Sequence, residues 1–115
     1  MIARVAYDED LADRIRALLA GDARVTEQKM FGGLAFLVAG HMAVAASGQG
    51  GFMVRVDPAQ TDDLVEEPHV APFVMRGRPM QGWLRVDTAG VLTESQLEPW
   101  VQRGLAYVRS LPPKL

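Results

Sequence analysis

Residues 29–56 read KMFGGLAFLVAGHMAVAASGQGGFMVRV, and this stretch decides the fold. Three short apolar segments follow the end of a first strand: Leu34–Val38, Met42–Ala46 and Phe52–Val56. Gly32-Gly33 divides the first strand from these segments, and the segments are separated from one another by Ala39-Gly40-His41 and by Ser47–Gly51. Short glycine-bearing turns of this kind connect neighbouring antiparallel strands. The stretch therefore predicts an antiparallel meander.

Two elements precede this meander. Tyr7–Leu19 has apolar residues at helical spacing, and Asp8 is suited to cap that helix at its N-terminus. Val25–Met30 carries polar side chains on both alternating faces, which is typical of a strand at the edge of a sheet or of a face at the rim of a site. We therefore expect a covering helix followed by an edge strand.

A second, shorter hairpin is predicted after the meander. Asp57-Pro58 has the residue types that begin a helix, and we expect that helix at Pro58–Val65. The proline-bearing segment Glu66–Pro72 is predicted to be a loop. Two strands should flank the turn at residues 76–79: Phe73–Met75 and Gly82–Val86. We expect this hairpin to extend the same sheet.

The start of the last helix has two candidate capping boxes: Thr93 with Gln96, and Ser95 with Glu98. Pro99 favours the later start, because proline is tolerated in the first turn of a helix and clashes deeper inside it. The apolar stripe expected to face the core consists of Leu97, Trp100, Val101, Leu105, Val108 and Leu111.

The predicted order of elements is a helix, about four strands, a short helix, two strands and a helix. Runs of strands between helices are typical of an antiparallel sheet covered by helices. We therefore predict an α+β fold, a two-layer sandwich with an antiparallel sheet of about 5–6 strands. At 115 residues the chain is expected to be a single domain spanning residues 1–115.

Composition excludes several classes of protein. The chain has no cysteine, which removes disulfides and thiolate metal sites and fits a reducing cytoplasm. The N-terminal residues lack the apolar core of a secretion signal, and the apolar run Leu34–Val38 is far shorter than the ~20 residues of a membrane span. A net charge of −2 disfavours non-specific binding to nucleic acid or anionic lipid. We expect a cytoplasmic protein without a membrane segment.

The sequence contains no recognisable catalytic motif. His41 and His69 lack the spacing of metal ligands. The glycine-rich turn Ser47–Gly51 leads into a strand, whereas a phosphate-binding loop leads into a helix. None of the serines lies in a nucleophile elbow: Ser47, Ser95 and Ser110. We therefore expect no enzymatic activity, no metal and no cofactor.

Basic side chains are the best functional candidates, and four of them lie in or beside the predicted turns and strands: Lys29, Arg55, Arg76 and Arg78. If they converge, they form a candidate interaction surface for phosphate or for the acidic face of a partner. The alternative is that Arg55 pairs with Asp57 or Glu27, while the other two arginines only keep a turn soluble. General acid–base chemistry needs a carboxylate with a shifted pKa, and Glu27, in a strand that otherwise turns apolar, is the first candidate for it.

Five of the six methionines lie in or beside predicted strands: Met30, Met42, Met53, Met75 and Met80. Flexible thioether side chains fill irregular cores, and they also form adaptable binding surfaces. We interpret these methionines as core residues, with a partner-binding surface as the alternative.

Several short motifs occur in a characteristic order: KMFGG at 29–33, GHM at 40–42, FMVRVD at 52–57, PF at 72–73 and GRPM at 77–80, then the Trp83-bearing strand to Val86. Together they resemble the TfoX N-terminal domain family over nearly the whole chain. The resemblance implies a secretion-chaperone-like sandwich. Such domains occur in bacterial TfoX/Sxy-like regulators of natural competence, which work with a cyclic-AMP-dependent activator and usually carry a second, helical domain. A stand-alone N-domain is expected here, and the resemblance implies no catalytic residues.

The preferred hypothesis is therefore a non-enzymatic regulatory or protein-interaction module. It would bind protein partners through an exposed strand edge or through the basic residues, and edge pairing would also permit a homodimer. One alternative is a nucleic-acid-binding accessory protein that uses a local basic patch. The other is a small-molecule-binding domain or enzyme with its site between the sheet and the helices.

Overall fold

The computed structural model describes residues 7–30 and 32–112. These residues form three α-helices: α1 Glu9–Leu18, α2 Thr61–Leu64 and α3 Glu94–Arg109. They form six strands: β1 Val25–Met30, β2 Gly33–Val38, β3 His41–Ala46, β4 Phe52–Arg55, β5 Val70–Met75 and β6 Arg78–Val86. Short 3₁₀ turns at Pro58–Gln60 and Thr88–Gly90 lead into α2 and towards α3.

The six strands form one antiparallel sheet in the order β1-β2-β3-β4-β6-β5. The first four strands are the predicted meander. The second hairpin extends the same sheet, as predicted, because β6 pairs with β4 and places Trp83 opposite Arg55. Strand β1, whose middle residues are all exposed, lies at one edge as predicted, and β5 forms the other edge.

Helices α1 and α3 pack on one face of the sheet and bury an apolar row. The register aligns four residues of neighbouring strands, each at most 1% exposed: Phe36, Val44, Val54 and Leu84. Ile15 of α1 and Val101 of α3 are fully buried against this face. Burying one such side chain contributes roughly 1.5–3 kcal/mol. The predicted α+β two-layer sandwich is confirmed.

Helix α3 approaches the sheet most closely at Gly104. A Cβ atom added there would lie 2.7 Å from the carbonyl oxygen of Ala43 and 3.0 Å from methyl carbons of Val44 and Val54. These separations are shorter than ordinary van der Waals contact, so only a residue without a side chain allows this packing. Gly104 therefore sets the distance between the two layers.

The prediction that α3 begins with Ser95 as its cap is wrong. The hydroxyl of Thr93 accepts a hydrogen bond from the N–H of Gln96, and the Gln96 side chain accepts one from the N–H of Thr93 at 3.0 Å. Pro99 consequently lies in the second turn of the helix, where its ring deprives the Ser95 carbonyl of its usual donor. Ser95 is exposed, so water can bond that carbonyl, and the earlier capping box prevails.

The second hairpin is longer than predicted, because both strands start earlier: β5 at Val70 instead of Phe73, and β6 at Arg78 instead of Gly82. Arg76 and Gly77 alone form the turn, with φ angles of 53° and 77°. Positive φ at both central residues is typical of two-residue hairpin turns. Pro72 is tolerated within β5 because an edge strand need not donate every N–H to a neighbour.

The two acidic caps are found where the sequence predicts them. The Asp8 carboxylate accepts a hydrogen bond from the N–H of Leu11 at 3.1 Å, although α1 is shorter at both ends than the predicted Tyr7–Leu19. The Asp57 carboxylate accepts one from the N–H of Ala59 at 2.9 Å. The predicted helix after Asp57 is divided into the 3₁₀ turn and the short α2.

Candidate functional site

The second face of the sheet carries an apolar groove. Ala35, Ala45 and Met53 lie side by side on this face in register. A cavity of about 410 Å³ lies over them, and it is also lined by Met30 of one edge strand and Phe73 of the other. The sheet therefore curls around it. We term this space the open-face groove; its lining includes Ala35, Leu37, Ala45, Met53, Met80 and Trp83.

Irregularities in three strands accompany this curl. The register shifts between Phe36 and Leu37, and again between Pro72 and Val74. Gly82 has a φ of 86°. Its N–H donates to the Thr61 hydroxyl at 2.8 Å, and its carbonyl accepts from the N–H of Val56, just after β4, at 2.8 Å. Bulges and glycine bends increase the twist and curvature of a sheet.

The groove lies on the opposite face from the site that the small-molecule hypothesis predicted. The space between the sheet and the helices is occupied by core side chains such as Phe36 and Val101. The interpretation of the methionines as core residues is also wrong. None belongs to the buried core, and all five line the groove: Met30, Met42, Met53, Met75 and Met80.

One end of the groove is bounded by the turn between β3 and β4. Arg85 donates hydrogen bonds to the side-chain oxygen of Gln49 at 3.1 Å and to the carbonyl of Gly50 at 2.9 Å. The hydroxyl of Ser47 accepts the N–H of Gln49 at 3.1 Å. These bonds hold the turn in place, with Ser47, Gly48 and Gln49 lining the groove.

Arg55 lies at the other end of the groove, among aromatic rings. Its guanidinium carbon is 5.2 Å from the centre of the Trp83 ring and 5.6 Å from that of Tyr107. One of its nitrogens is 3.4 Å from Nδ1 of His41, a long contact. His41 donates from Nε2 to the carbonyl of Pro112 at 2.6 Å, which leaves Nδ1 free to accept. Cation–π contacts and the imidazole thus hold Arg55 in place.

The suggested pairing of Arg55 with Asp57 or Glu27 is wrong. Asp57 caps the 3₁₀ turn, and Glu27 accepts two hydrogen bonds from Arg16 of α1, at 2.5 and 2.8 Å. The hydrogen bond from Arg16 lowers the pKa of the Glu27 carboxyl, against a smaller opposing effect of partial burial. Within residues 7–30 and 32–112, Arg55 has no carboxylate within salt-bridge distance. Among these residues its charge is therefore not neutralised by an acidic group.

Replacing Glu27 with Gln is expected to lower the urea midpoint of unfolding slightly at pH 7. A carboxyl whose folded-state pKa is lowered stabilises the fold above its unfolded pKa, and this is lost as the pH falls through its folded pKa. The difference from wild type should therefore shrink as the pH falls below about 4.5, the ordinary value of the carboxyl, and through its lowered folded-state pKa. Both partners are partly exposed, so the effect is small. The control is Glu67→Gln, an exposed residue; equal shifts in both variants would contradict the assignment.

The structure places the four basic candidates at three positions. Lys29 lies on the edge strand β1, on the face opposite to Gln28 and Met30, which line the groove. Arg55 lies at the end of the groove. Arg76 and Arg78 are exposed together at the tip of the β5–β6 hairpin. Only these last two are neighbours, and the groove takes its charge from Arg55.

Comparison with known families gives a match for most of the chain. A profile of the TfoX N-terminal domain matches residues 17–107. The chain belongs to the TfoX N-terminal domain family. The matched span begins in α1, ends in α3 and includes all six strands, and it confirms the resemblance drawn from the motifs. Searches of curated proteins and of solved structures found no match.

Other chemical candidates in this TfoX N-terminal domain have structural partners. In the part of the chain that the structure describes, no three His, Asp or Glu side chains are grouped to hold a metal ion. Ser47 is engaged in its own turn, and Ser110 donates to the carbonyl of Tyr107 at 2.6 Å.

None of the helices described is long and apolar enough to span a bilayer.

Sequence reasoning missed the groove, although one signal for it is present in this family member. Strands β2 and β3 read GLAFLV and HMAVAA, with apolar residues at both alternating positions. Such runs are typical of strands that are covered on both faces. A two-layer domain covers only one face with helices, so the second set of apolar side chains is left to line the open-face groove.

Proposed function

We propose that this member of the TfoX N-terminal domain family is a non-enzymatic regulatory module that binds a protein partner in the cytoplasm. The partner docks at the tip of the β5–β6 hairpin. Family membership supports the regulatory role, and the surface of the hairpin supports the docking site. A non-enzymatic role is supported by the hydrogen bonds of the described residues, among which no serine hydroxyl is paired with a histidine.

The observation that carries the proposal is where apolar side chains are exposed. Four large hydrophobic side chains in the described residues are exposed, and three of them lie on this hairpin: Val74 at 53%, Met75 at 36% and Met80 at 37%. Exposed apolar clusters on a small domain mark interaction sites more often than single exposed residues do. Flexible methionines suit such a surface because they adapt to the shape of a partner.

Charge indicates the chemistry of the partner. Arg76 and Arg78 flank the apolar cluster, and neither makes a salt bridge with another described residue. The whole chain has a net charge of −2, so this positive tip is a local feature. It is complementary to a partner segment that presents an apolar side chain beside carboxylates.

A photo-cross-linking amino acid at Val74 should test the docking site in the native cell. The matched control is the same amino acid at Leu92, which is 63% exposed and lies away from the hairpin. We expect a polypeptide adduct at position 74 that is absent at position 92. Equal adducts at both positions, adducts with a second copy of this chain, or adducts with nucleic acid would contradict the proposal.

Charge reversal at the tip should weaken binding of the partner so identified. Arg76→Glu with Arg78→Glu is expected to raise the dissociation constant roughly tenfold or more, since it replaces attraction by like-charge repulsion. The control is Arg24→Glu with Lys29→Glu, which makes the same change in net charge at another exposed region. Calorimetric titration measures both. Equal weakening by the two pairs would show that only net charge matters and would overturn the assignment of the hairpin.

A further inference from the structure

We infer that the open-face groove is a binding site for a small amphipathic monocarboxylate, whose carboxylate is bound by Arg55 and whose apolar body lies along β3. This inference goes beyond the proposed docking function, because the groove shares only Met75 and Met80 with the hairpin tip. It rests on the lining of the groove, on the residues at its ends and on the lack of a carboxylate beside Arg55 among the described residues.

The lining fits an apolar body. Ala35 and Ala45 form a floor of small side chains, while Leu37 and the methionines form the walls. The cavity of about 410 Å³ is within the range of small-molecule sites, roughly 300–1,000 Å³. The six residues of β3 give the groove a length of about 17 Å.

The boundaries of the groove favour a small molecule over a continuous protein segment. Gln49 in its turn lines one end, and His41 and Arg55 line the other. Met30 of β1 and Phe73 of β5 line the two sides. A short amphipathic molecule fits between these boundaries, whereas a continuous peptide strand or helix would extend past them.

Arg55 is prepared to bind a carboxylate. The guanidinium is fixed by Trp83, Tyr107 and His41, so little side-chain entropy remains to be lost on binding. The guanidinium carries five N–H donors, and one of its nitrogens faces His41. The planar fork of the guanidinium matches the two oxygens of a carboxylate. No carboxylate of the described residues competes for it.

The charge of the site suits a monoanion. Arg55 is the one arginine among the described lining residues, and no lysine is among them. Arg85 on the same face is already bonded to Gln49 and Gly50. A phosphomonoester brings a charge of about −1.5 to −2 and would need further cations. A carboxylate brings a single charge, which one guanidinium matches.

Tryptophan fluorescence gives a direct test. Trp83 lines the groove, and Trp100 is a buried residue of α3, so a Trp100→Phe variant leaves Trp83 as the reporter. The probes are decanoate, decanol and decyltrimethylammonium, which share an apolar chain and differ in charge. We expect decanoate to bind roughly ten- to a hundredfold more tightly than the other two, as for a charged hydrogen bond. Equal affinities, or no response to decanoate, would overturn the inference.

Removing the guanidinium should remove the preference for the anion. Arg55→Met is expected to weaken decanoate binding at least tenfold and to leave decanol binding unchanged. The matched control is Arg103→Met, because Arg103 stacks on Trp100 at 4.7 Å on the other side of the molecule. Decanoate binding that survives in Arg55→Met, or falls equally in both variants, would overturn the role of Arg55.

A second readout does not depend on any variant. Methyl resonances of the groove methionines Met30, Met42 and Met53 should shift in the wild-type protein when decanoate is added. The same concentration of decyltrimethylammonium should leave them in place. Equal shifts with both probes, or no shift with decanoate, would contradict the proposed site even if Arg55→Met did not fold. Neither result depends on partner binding at the hairpin, so this inference and the proposed function can fail separately.

Discussion

Phe36→Ala is expected to lower the free energy of unfolding by about 3–5 kcal/mol, the largest effect of any single change considered for this domain. Phe36 is 1% exposed and forms the β2 end of the buried row, next to Val44 of β3. Truncation removes apolar contacts and leaves a cavity that the surrounding strands and helices cannot close. Since small domains have total stabilities of roughly 5–15 kcal/mol, the variant should be marginally folded.

Urea denaturation of the wild-type protein and of a Phe73→Ala variant supplies the comparison. Phe73 is only half-buried and lies on the groove face, so its removal leaves a space open to solvent. We expect Phe73→Ala to cost clearly less than Phe36→Ala. If the two losses were equal, the helix-covered face would not be the principal core.

Gly104→Ala is expected to destabilise the fold by about 1–3 kcal/mol, although alanine is the better helix former. The added methyl group would lie 2.7 Å from the backbone oxygen of Ala43, which cannot rotate away. Helix α3 would have to move off the sheet along its central turns. The intrinsic gain of up to about 1 kcal/mol from replacing glycine in a helix offsets only part of this cost.

Gly21→Ala is the matched control for that substitution. A Cβ atom at Gly21 would meet nothing within 4 Å, so the same chemical change should alter stability very little. Thermal and urea unfolding of both variants measure the difference. Equal stability of Gly104→Ala and the wild-type protein would show that the two layers can separate at no cost.

Much of the fold could be predicted from local signals in the chain. Glycine-bearing turns define the four-strand meander, and the polar residues of β1 indicate its place at an edge. The start of β5 could not be predicted this way, because Pro72 reads as a loop residue unless the strand is known to lie at an edge. The start of α3 depended on which of two capping boxes forms, and both are present in the sequence.

The candidate site was less predictable because it depends on contacts between distant residues. Which side chains close the groove depends on the curl that brings Met30 near the β5–β6 hairpin, and no local pattern encodes that approach. The environment of Arg55 has the same origin. Acidic residues lie near Arg55 in the sequence, but the aromatic rings that contact it in the structure are Trp83 of β6 and Tyr107 of α3. Apolar residues on both faces of β2 and β3 were the one local sign of the site.

The β5–β6 hairpin belongs to two surfaces at once, since Met75 and Met80 are exposed at its tip and also line the groove. Strand β6 pairs with β4 only from Trp83 onwards, so the tip beyond Gly82 is attached to the sheet through one end. A ligand in the groove that repositions these methionines would therefore change the affinity of the hairpin tip for its partner. Thermodynamic linkage then requires the reverse effect to have the same size, and a coupling of about 1–3 kcal/mol corresponds to a roughly five- to 150-fold change in either dissociation constant.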